Sequence, residues 1–174
     1  VSTAVFNNFN GNGTGFSVQA QDTVPIGLAF NNDGTKMFVS GLTGDDVNEY
    51  NLSTAFGLST AVFRDFNGDG TGFSVAAQEN IPRSLAFNND GTKMFVLGHT
   101  GKDVNEYTLS TAFDVSTAVF RDFNADGTGF SVNAQDTGPR GLAFNNDGTK
   151  MFVLGATGKD VNEYTLSTAF DVST

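Results

Sequence analysis

The ten residues Phe30–Val39, FNNDGTKMFV, occur three times in this chain of 174 residues. The same letters return at Phe87–Val96 and at Phe144–Val153, always 57 positions further on. An Asp-Gly pair between two apolar runs supplies the positive φ that a tight hairpin turn favours. The stretch therefore predicts the same β-hairpin in three consecutive units.

The repeat extends over the whole chain and divides it into units 2–58, 59–115 and 116–172. Units two and three differ at 7 of 57 positions, and units one and two differ at 15. A fixed period of this kind is typical of arrays in which each unit buries its apolar face against its neighbours. We therefore interpret residues 1–174 as one repeat domain.

Each unit reads as short strands and turns, without a helix signal. In unit two, apolar runs bounded by Gly, Asn and Asp predict strands at 84–87, 93–97, 103–109 and 73–77. The run 93–97 is apolar on both faces, which suits a strand between two layers. Four short strands per unit are typical of a propeller blade. The predicted fold is all-β: a β-propeller segment of three four-stranded antiparallel blades.

The segment LAFNNDGTKMFVLG, residues 85–98, resembles the core of YVTN-type and NHL-like β-propeller repeats. The resemblance covers about half of each unit and implies a blade, without implying a ligand. The remainder, such as STAFDVSTAVFRDFNADGTG at 110–129, departs from the common blade. We expect it to form an excursion between the third and fourth strands.

The order of the predicted strands indicates association between copies. The segment 1–20 has the sequence of a fourth strand, and we expect it to complete a blade begun by 141–172 of the same or another chain. Propellers have about 4 to 8 blades, so three cannot close a ring. Because uncovered apolar blade faces drive association, the sequence predicts a homo-oligomer, as a closed ring in preference to a filament. The alternative is that the three units are part of a longer array.

Two loops carry a candidate calcium site. In RDFNGDGTG and RDFNADGTG, alternating Asp and Asn oxygens precede a glycine, which resembles the loops of FG-GAP and EF-hand-type repeats. The ninth position is Phe and no Glu follows at the twelfth, so a loop of Asx turns is the alternative. Calcium is the one cofactor that the sequence suggests. The candidate ligands are Asp65, Asn67, Asp69, Asp122, Asn124 and Asp126.

A second candidate site follows from where the units differ. Units two and three differ at 76, 79, 80, 81, 84 and 99, and unit one has Asp45 where unit two has Lys102. These positions fall in two loops that emerge on one face of a blade, and loops on a rigid scaffold often carry binding residues. Sequence drift in unpacked loops is the alternative. The candidate ligand face comprises Ile26, Arg83, Arg140, Leu42, His99 and Ala156.

Composition limits the partners. With 19 acidic and 9 basic residues the net charge is −10, which disfavours nucleic acid and anionic membranes. No apolar run approaches the roughly 20 residues of a membrane span, so we expect no membrane insertion.

No nucleophile–base pair or His cluster can be assembled, so the sequence predicts that the chain is not an enzyme. The favoured function is a self-assembling structural or adhesive module, extracellular or at the cell surface. One alternative is a ligand-binding propeller, lectin-like or calcium-dependent, that takes a carbohydrate or a protein. The other is an engineered or recently amplified scaffold without a ligand.

Overall fold

The computed structural model describes residues 3–8 and 13–174 and shows an all-β chain of three antiparallel sheets, one for each repeat. Sheet A contains β1 Pro25–Phe30, β2 Lys36–Gly41, β3 Asp46–Leu52, β4 Ala61–Phe63 and β5 Phe73–Ser74. Sheet B contains β6 Pro82–Phe87, β7 Lys93–Gly98, β8 Asp103–Leu109, β9 Ala118–Phe120 and β10 Phe130–Ser131. Sheet C contains β11 Pro139–Phe144, β12 Lys150–Gly155 and β13 Val161–Thr165.

The all-β prediction and the three antiparallel sheets are confirmed, but the outer edge of the sheets differs from the prediction. In sheets A and B this edge is shared by two short strands, β4 and β5 on β3, and β9 and β10 on β8. The predicted strand 73–77 is reduced to Phe73–Ser74. The predicted excursion contains β4 and a 3-10 turn at Leu58–Thr60, which the short apolar runs did not reveal. Within the described parts of segment 1–20 no strand forms.

The hairpin at FNNDGTKMFV forms in all three units. Asp33 Oδ1 accepts hydrogen bonds from the N–H of Thr35 at 2.9 Å and from its hydroxyl at 2.6 Å. Gly34 has a φ of 72°, and a Cβ atom there would lie 2.3 Å from the ring of Phe56. Glycine is therefore required both by the backbone conformation and by the ring that packs on the turn.

The sheets pack side by side in chain order, with β6 between β1 and β11. Between sheets A and B, the ring of Phe38 lies 4.5 Å from that of Phe87. Between sheets B and C, the ring of Phe95 lies 4.6 Å from that of Phe144. A third apolar cluster packs Phe16 and Val18 on sheet A. Phe38 and Phe95 are completely buried, and each belongs to the apolar cluster of its own inter-sheet contact. We call these two contacts the internal junctions.

A buried carboxylate spans each internal junction. Glu106 in β8 is fully buried and binds Lys93 at 2.7 Å and Arg121 at 3.2 Å. Arg121 also binds Asp171 at 2.6 Å, and the N–H of Val172 donates to Glu106 at 3.2 Å. Asp171 and Val172 follow sheet C, so these contacts connect sheets B and C. The first junction repeats this arrangement with Glu49, Lys36, Arg64, Asp114 and Val115.

A row of asparagines joins the hairpin turns of successive sheets. The amide of Asn32 donates to the carbonyl of Asn89, and the amide of Asn89 donates to the carbonyl of Asn146. Each of these hydrogen bonds runs forward along the chain. Among the described residues, no helix is both long and apolar enough to traverse a lipid bilayer.

Candidate functional site

We call β1, β6 and β11, the first strands of the three sheets, the inner strands. Each begins with a β-bulge that leaves one residue without a partner on the next strand. In sheet B, Pro82 pairs with Gly98 and Ser84 pairs with Leu97, so Arg83 is left without a partner on β7. Bulges are common beside active sites, because they turn a side chain away from the ordinary alternation of the strand. The same irregularity in sheets A and C falls on Ile26 and Arg140.

The other three residues of the predicted ligand face, Leu42, His99 and Ala156, lie beside the bulges. The N–H of His99 donates to the carbonyl of Ile81, at 3.2 Å, which joins the loop after β7 to the start of β6. In each sheet, the structure thus brings the bulge residue and the candidate residue of the following loop to the same end. The equivalent bonds join Leu42 to Val24 and Ala156 to Gly138.

Two arginines come close at this end. Burial lowers the pKa of Arg83, and the positive charge of Arg140 lowers it further. The Nε atom of Arg83 is buried without a hydrogen-bond partner in the part of the chain that the structure describes. Two neighbouring cations with an unused donor form an arrangement that an anion would stabilise.

A carboxylate with a raised pKa belongs to the same group. Burial raises the pKa of Asp45, and the charges of Glu79 and Asp22 add to the effect. Asp45 has a φ of 47°, and its buried Oδ1 accepts no hydrogen bond from the described residues. Glu79 also acts electrostatically on Arg83, so these charges share one end of the inner strands.

Glu79 itself fixes the local backbone. Its Oε1 accepts from the N–H of Ile81 at 2.6 Å and of Thr100 at 3.1 Å, and its Oε2 accepts from Gly101 at 2.9 Å. These bonds join the loop before β6 to the loop after β7. Glu79 is therefore a positioning residue that holds Arg83 and His99 in place.

The arrangement offers two chemical abilities. Arg83 and Arg140 can hold an anionic group, because guanidinium groups form charge-assisted hydrogen bonds with phosphate and carboxylate. Asp45 can accept a proton, because a carboxylate with a raised pKa and a free oxygen is suited to general-base catalysis. We call Arg83, Arg140, Asp45 and Glu79 the axial group.

Sequence reasoning noted positions 45 and 79 as variable but did not count them among the site residues. Lys102 and Lys159 stand at the position of Asp45, so only unit one supplies a carboxylate there. A reversal of charge at one position of an otherwise uniform repeat was the available signal.

The candidate calcium loops bind their own backbone. Asp65 accepts from the N–H of Gly68 at 2.7 Å and of Gly70 at 3.2 Å. Asp69 accepts from the N–H and hydroxyl of Thr71, and the hydroxyl bond lowers its pKa. The second loop behaves alike, with Asp122 and Asp126 bonded inside the loop, while Asn67 and Asn124 are exposed. These are the contacts of Asx turns.

The loop geometry adds no support for the metal. Throughout residues 3–8 and 13–174, no three His, Cys, Asp or Glu side chains group closely enough to hold a metal ion. Calcium binding stays a prediction.

Comparison with solved structures identifies the fold as one found in enzymes. A proposed 6-phosphogluconolactonase from Bacteroides uniformis aligns with a TM-score of 0.59 at 12% identity, over 81% of this chain and 36% of that one. A proposed 6-phosphogluconolactonase from Bacteroides fragilis aligns with a TM-score of 0.56 at 13% identity, over 81% and 34%. A luciferin-regenerating enzyme aligns with a TM-score of 0.53 at 19% identity, over 86% and 41%.

The chain therefore spans roughly two fifths or less of the length of these structures. No family model matches the chain, and no curated protein matches it. At these identities the likeness concerns the fold alone.

These neighbours overturn the functional prediction. The expectation of a non-enzymatic structural or adhesive module is wrong, because proteins with this fold are described as a lactonase and a luciferin-regenerating enzyme. The prediction that the chain is not an enzyme fails for the same reason, because the solved structures with this fold carry the names of enzymes. The neighbours give no support to the structural, self-assembling, extracellular character derived from that interpretation. The expected ligands and location stay predictions. The fold is one that enzymes use.

Proposed function

We propose that the three sheets are blades of a β-propeller of lactonase type, and that the axial group binds and hydrolyses a small anionic lactone. The blade interpretation is supported by the resemblance of residues 85–98 to propeller repeats and by the succession of inner strands β1, β6 and β11. The names of the fold neighbours direct the proposal towards sugar-acid lactones, phosphorylated or not.

The observation that carries the proposal is the bulged arginine pair. In a chain of net charge −10, an arginine stands at the bulge of sheet B and another at that of sheet C, Arg140 acts electrostatically on Arg83, and Arg83 keeps an unused buried donor in the described structure. An anionic substrate would relieve the repulsion between the two guanidinium groups. The phosphate or carboxylate of a sugar acid has the charge and size for such a bidentate contact.

The roles of the residues follow from their charges. Arg83 and Arg140 hold the anionic group and orient the lactone. Asp45 accepts a proton from the water that attacks the lactone carbonyl, the acyl C–O bond breaks, and Asp45 returns that proton to the ring oxygen, which becomes a hydroxyl. The product is the open hydroxy acid, and Glu79 keeps the loops in position throughout.

The test is hydrolysis of 6-phosphogluconolactone, followed by acid release at constant pH, together with calorimetric binding of 6-phosphogluconate. Arg140→Gln should weaken binding at least about tenfold, which corresponds to about 1.4 kcal/mol and to the loss of one charge-assisted contact. Asp45→Asn should lower kcat while leaving binding nearly unchanged.

A matched control removes the same charge from a neighbouring loop. Lys159→Gln lies in sheet C at the position equivalent to Asp45 and should leave binding within about twofold. Neither binding nor hydrolysis by the unaltered chain, or equal effects of Arg140→Gln and Lys159→Gln, would contradict the proposal.

A further inference from the structure

In the described part of the chain, sheet C lacks the short outer strands that sheets A and B carry on their third strand. In sheet B, β8 pairs with β9 through Tyr107 and Phe120, Thr108 and Val119, and Leu109 and Ala118. Among the residues that the structure describes, β13 pairs with β12 alone. Its own copy of the missing outer strand is the tripeptide Ala4-Val5-Phe6, which has the sequence of β4 and β9. This tripeptide is unpaired, and Val5 is 82% exposed.

The N-terminal segment already lies where an outer strand of a preceding sheet would lie. The ring of Phe16 meets Tyr50 of sheet A edge-on at 5.7 Å. At the internal junction, Phe73 of β5 meets Tyr107 of sheet B in the same manner at 5.6 Å. The segment therefore contacts sheet A as sheet A's own outer strand contacts sheet B.

Side chains along β13 are exposed where their counterparts are buried. Val161 is 62% exposed, whereas Val47 and Val104 are fully buried. The side chain of Glu163 is 50% exposed, whereas that of Glu106 is inaccessible. Strand β13 thus carries the residues of an internal junction without a neighbour.

An apolar cleft lies at each end of the row of sheets. One cleft, of about 230 Å³, is lined by Leu142, Phe152 and Val161 of sheet C. The other, of about 280 Å³, is lined by Phe16, Ile26, Leu28, Met37 and Leu58 at sheet A. Phe152 is the repeat equivalent of Phe95, whose ring lies against Phe144, and Phe144 in turn lies against Phe170. In unit one the equivalents of Phe144 and Phe170 are Phe30 and Phe56, whose rings also meet.

Unit one lacks both charged residues of an ion pair that each internal junction contains. Arg64 and Arg121 bridge a glutamate to Asp114 and Asp171. In unit one the equivalent of the arginine is Asn7, and the equivalent of the aspartate is Gly57. Both members of the ion pair are therefore absent together in unit one.

We propose that two copies of this chain pair, with sheet C of each copy packed on sheet A of the other and with residues 4–7 of each completing the other's β13. The pair has six sheets, within the range of about 4 to 8 blades that closed propellers use. The new joints are neutral: Glu163 is covered by Asn7 and the N–H of Leu58 of the second copy instead of by an arginine.

Restoring the missing ion pair by substitution tests the proposed joint directly. The mass of the chain in solution, measured by sedimentation equilibrium, should be twice 18.3 kDa at concentrations up to about 0.5 mM. Asn7→Arg combined with Gly57→Asp should lower the dissociation constant about tenfold by recreating the internal ion pair beside Glu163. Adding Glu163→Gln should remove most of that gain.

Controls separate the joint from general surface effects. Phe152→Glu should abolish pairing, whereas Val62→Glu, which alters a residue 67% exposed on β4, should leave it unchanged. Circular dichroism and urea unfolding of dilute Phe152→Glu would show whether the single copy still folds, and if it does not, the charge-restoring series decides alone. A stable mass of 18.3 kDa for the unaltered chain, open-ended polymers, or no effect of the restored pair would overturn the proposal.

The inference is independent of the proposed lactone hydrolysis. Mass and dissociation constant report pairing, and acid release reports activity, so either can fail alone.

Discussion

Strands β8 and β13 contain the same five letters, VNEYT, in two different environments. In β8 the glutamate is fully buried and bound by Lys93 and Arg121. In β13 the glutamate is half exposed and bound by Lys150 at 2.6 Å. One sequence therefore has two burial states, and the neighbouring sheet decides between them. The internal junction provides an adjacent sheet and an arginine for the glutamate, and β13 has neither among the described residues.

The largest expected difference between the two environments concerns phenylalanine. Phe95→Ala should lower the free energy of unfolding by about 4 kcal/mol, because Phe95 is fully buried against Phe144 and its removal leaves a cavity. Phe152→Ala should cost about 1 kcal/mol or less in the dilute single copy, since Phe152 lines an open cleft. Urea unfolding measures both. Equal losses would show that the open end is as well packed as the internal junction.

The next effect concerns the buried charge. Glu106→Gln should cost about 3 kcal/mol, because it leaves Lys93 and Arg121 without the carboxylate that crosses the junction. Glu163→Gln is the matched change and should cost less than about 1 kcal/mol in the dilute single copy. At concentrations where copies pair, the cost of Glu163→Gln should rise. A cost that stays the same at every concentration would speak against a shared joint.

The smallest effect is a pH dependence at the internal junction. Burial opposes ionisation of Asp171, but hydrogen bonds from Arg121 and Ser173 outweigh it and lower the pKa of Asp171 to about 2. A carboxyl with a depressed folded-state pKa stabilises the fold above its unfolded value and loses this contribution as pH falls through the folded value. The free energy of unfolding should therefore fall between about pH 4 and pH 2, and Asp171→Asn should flatten that fall.

A control of opposite sign is available for this measurement. The pKa of Asp45 is raised, so its ionisation disfavours the folded state, and protonation on acidification restores stability. Asp45→Asn should make the loss of stability on acidification steeper. Identical curves for both variants would remove Asp171 from the account of acid unfolding.

Much of the fold could be predicted from sequence because it is local. Asp33 and Gly34 determine the hairpin through bonds within a few residues, and the 57-residue period repeats this result three times. The outer edge was harder to predict. The strands β4 and β9 are three residues long, and they exist only because β3 and β8 offer a free edge.

The candidate site was predictable only in part. The variable positions drew attention to Arg83, Arg140 and His99, because variation within a uniform repeat is visible in one sequence, and the structure brings these residues to one end of the sheets. Asp45 and Glu79 were not selected, since their significance depends on charges contributed by a different unit. The calcium hypothesis shows the reverse case, in which a pattern of oxygens is explained by backbone bonds inside the loop, as at Asp65.

The row of asparagine amides has a polarity. Asn32 donates towards unit two and Asn89 donates towards unit three. In the proposed pair, the next bond of the row would run from Asn146 of one molecule to Asn32 of the other. A head-to-head encounter would bring donor against donor and acceptor against acceptor. The amide row therefore favours molecules that succeed one another in a single rotational sense, and any circle they form must read the same way around its whole circumference.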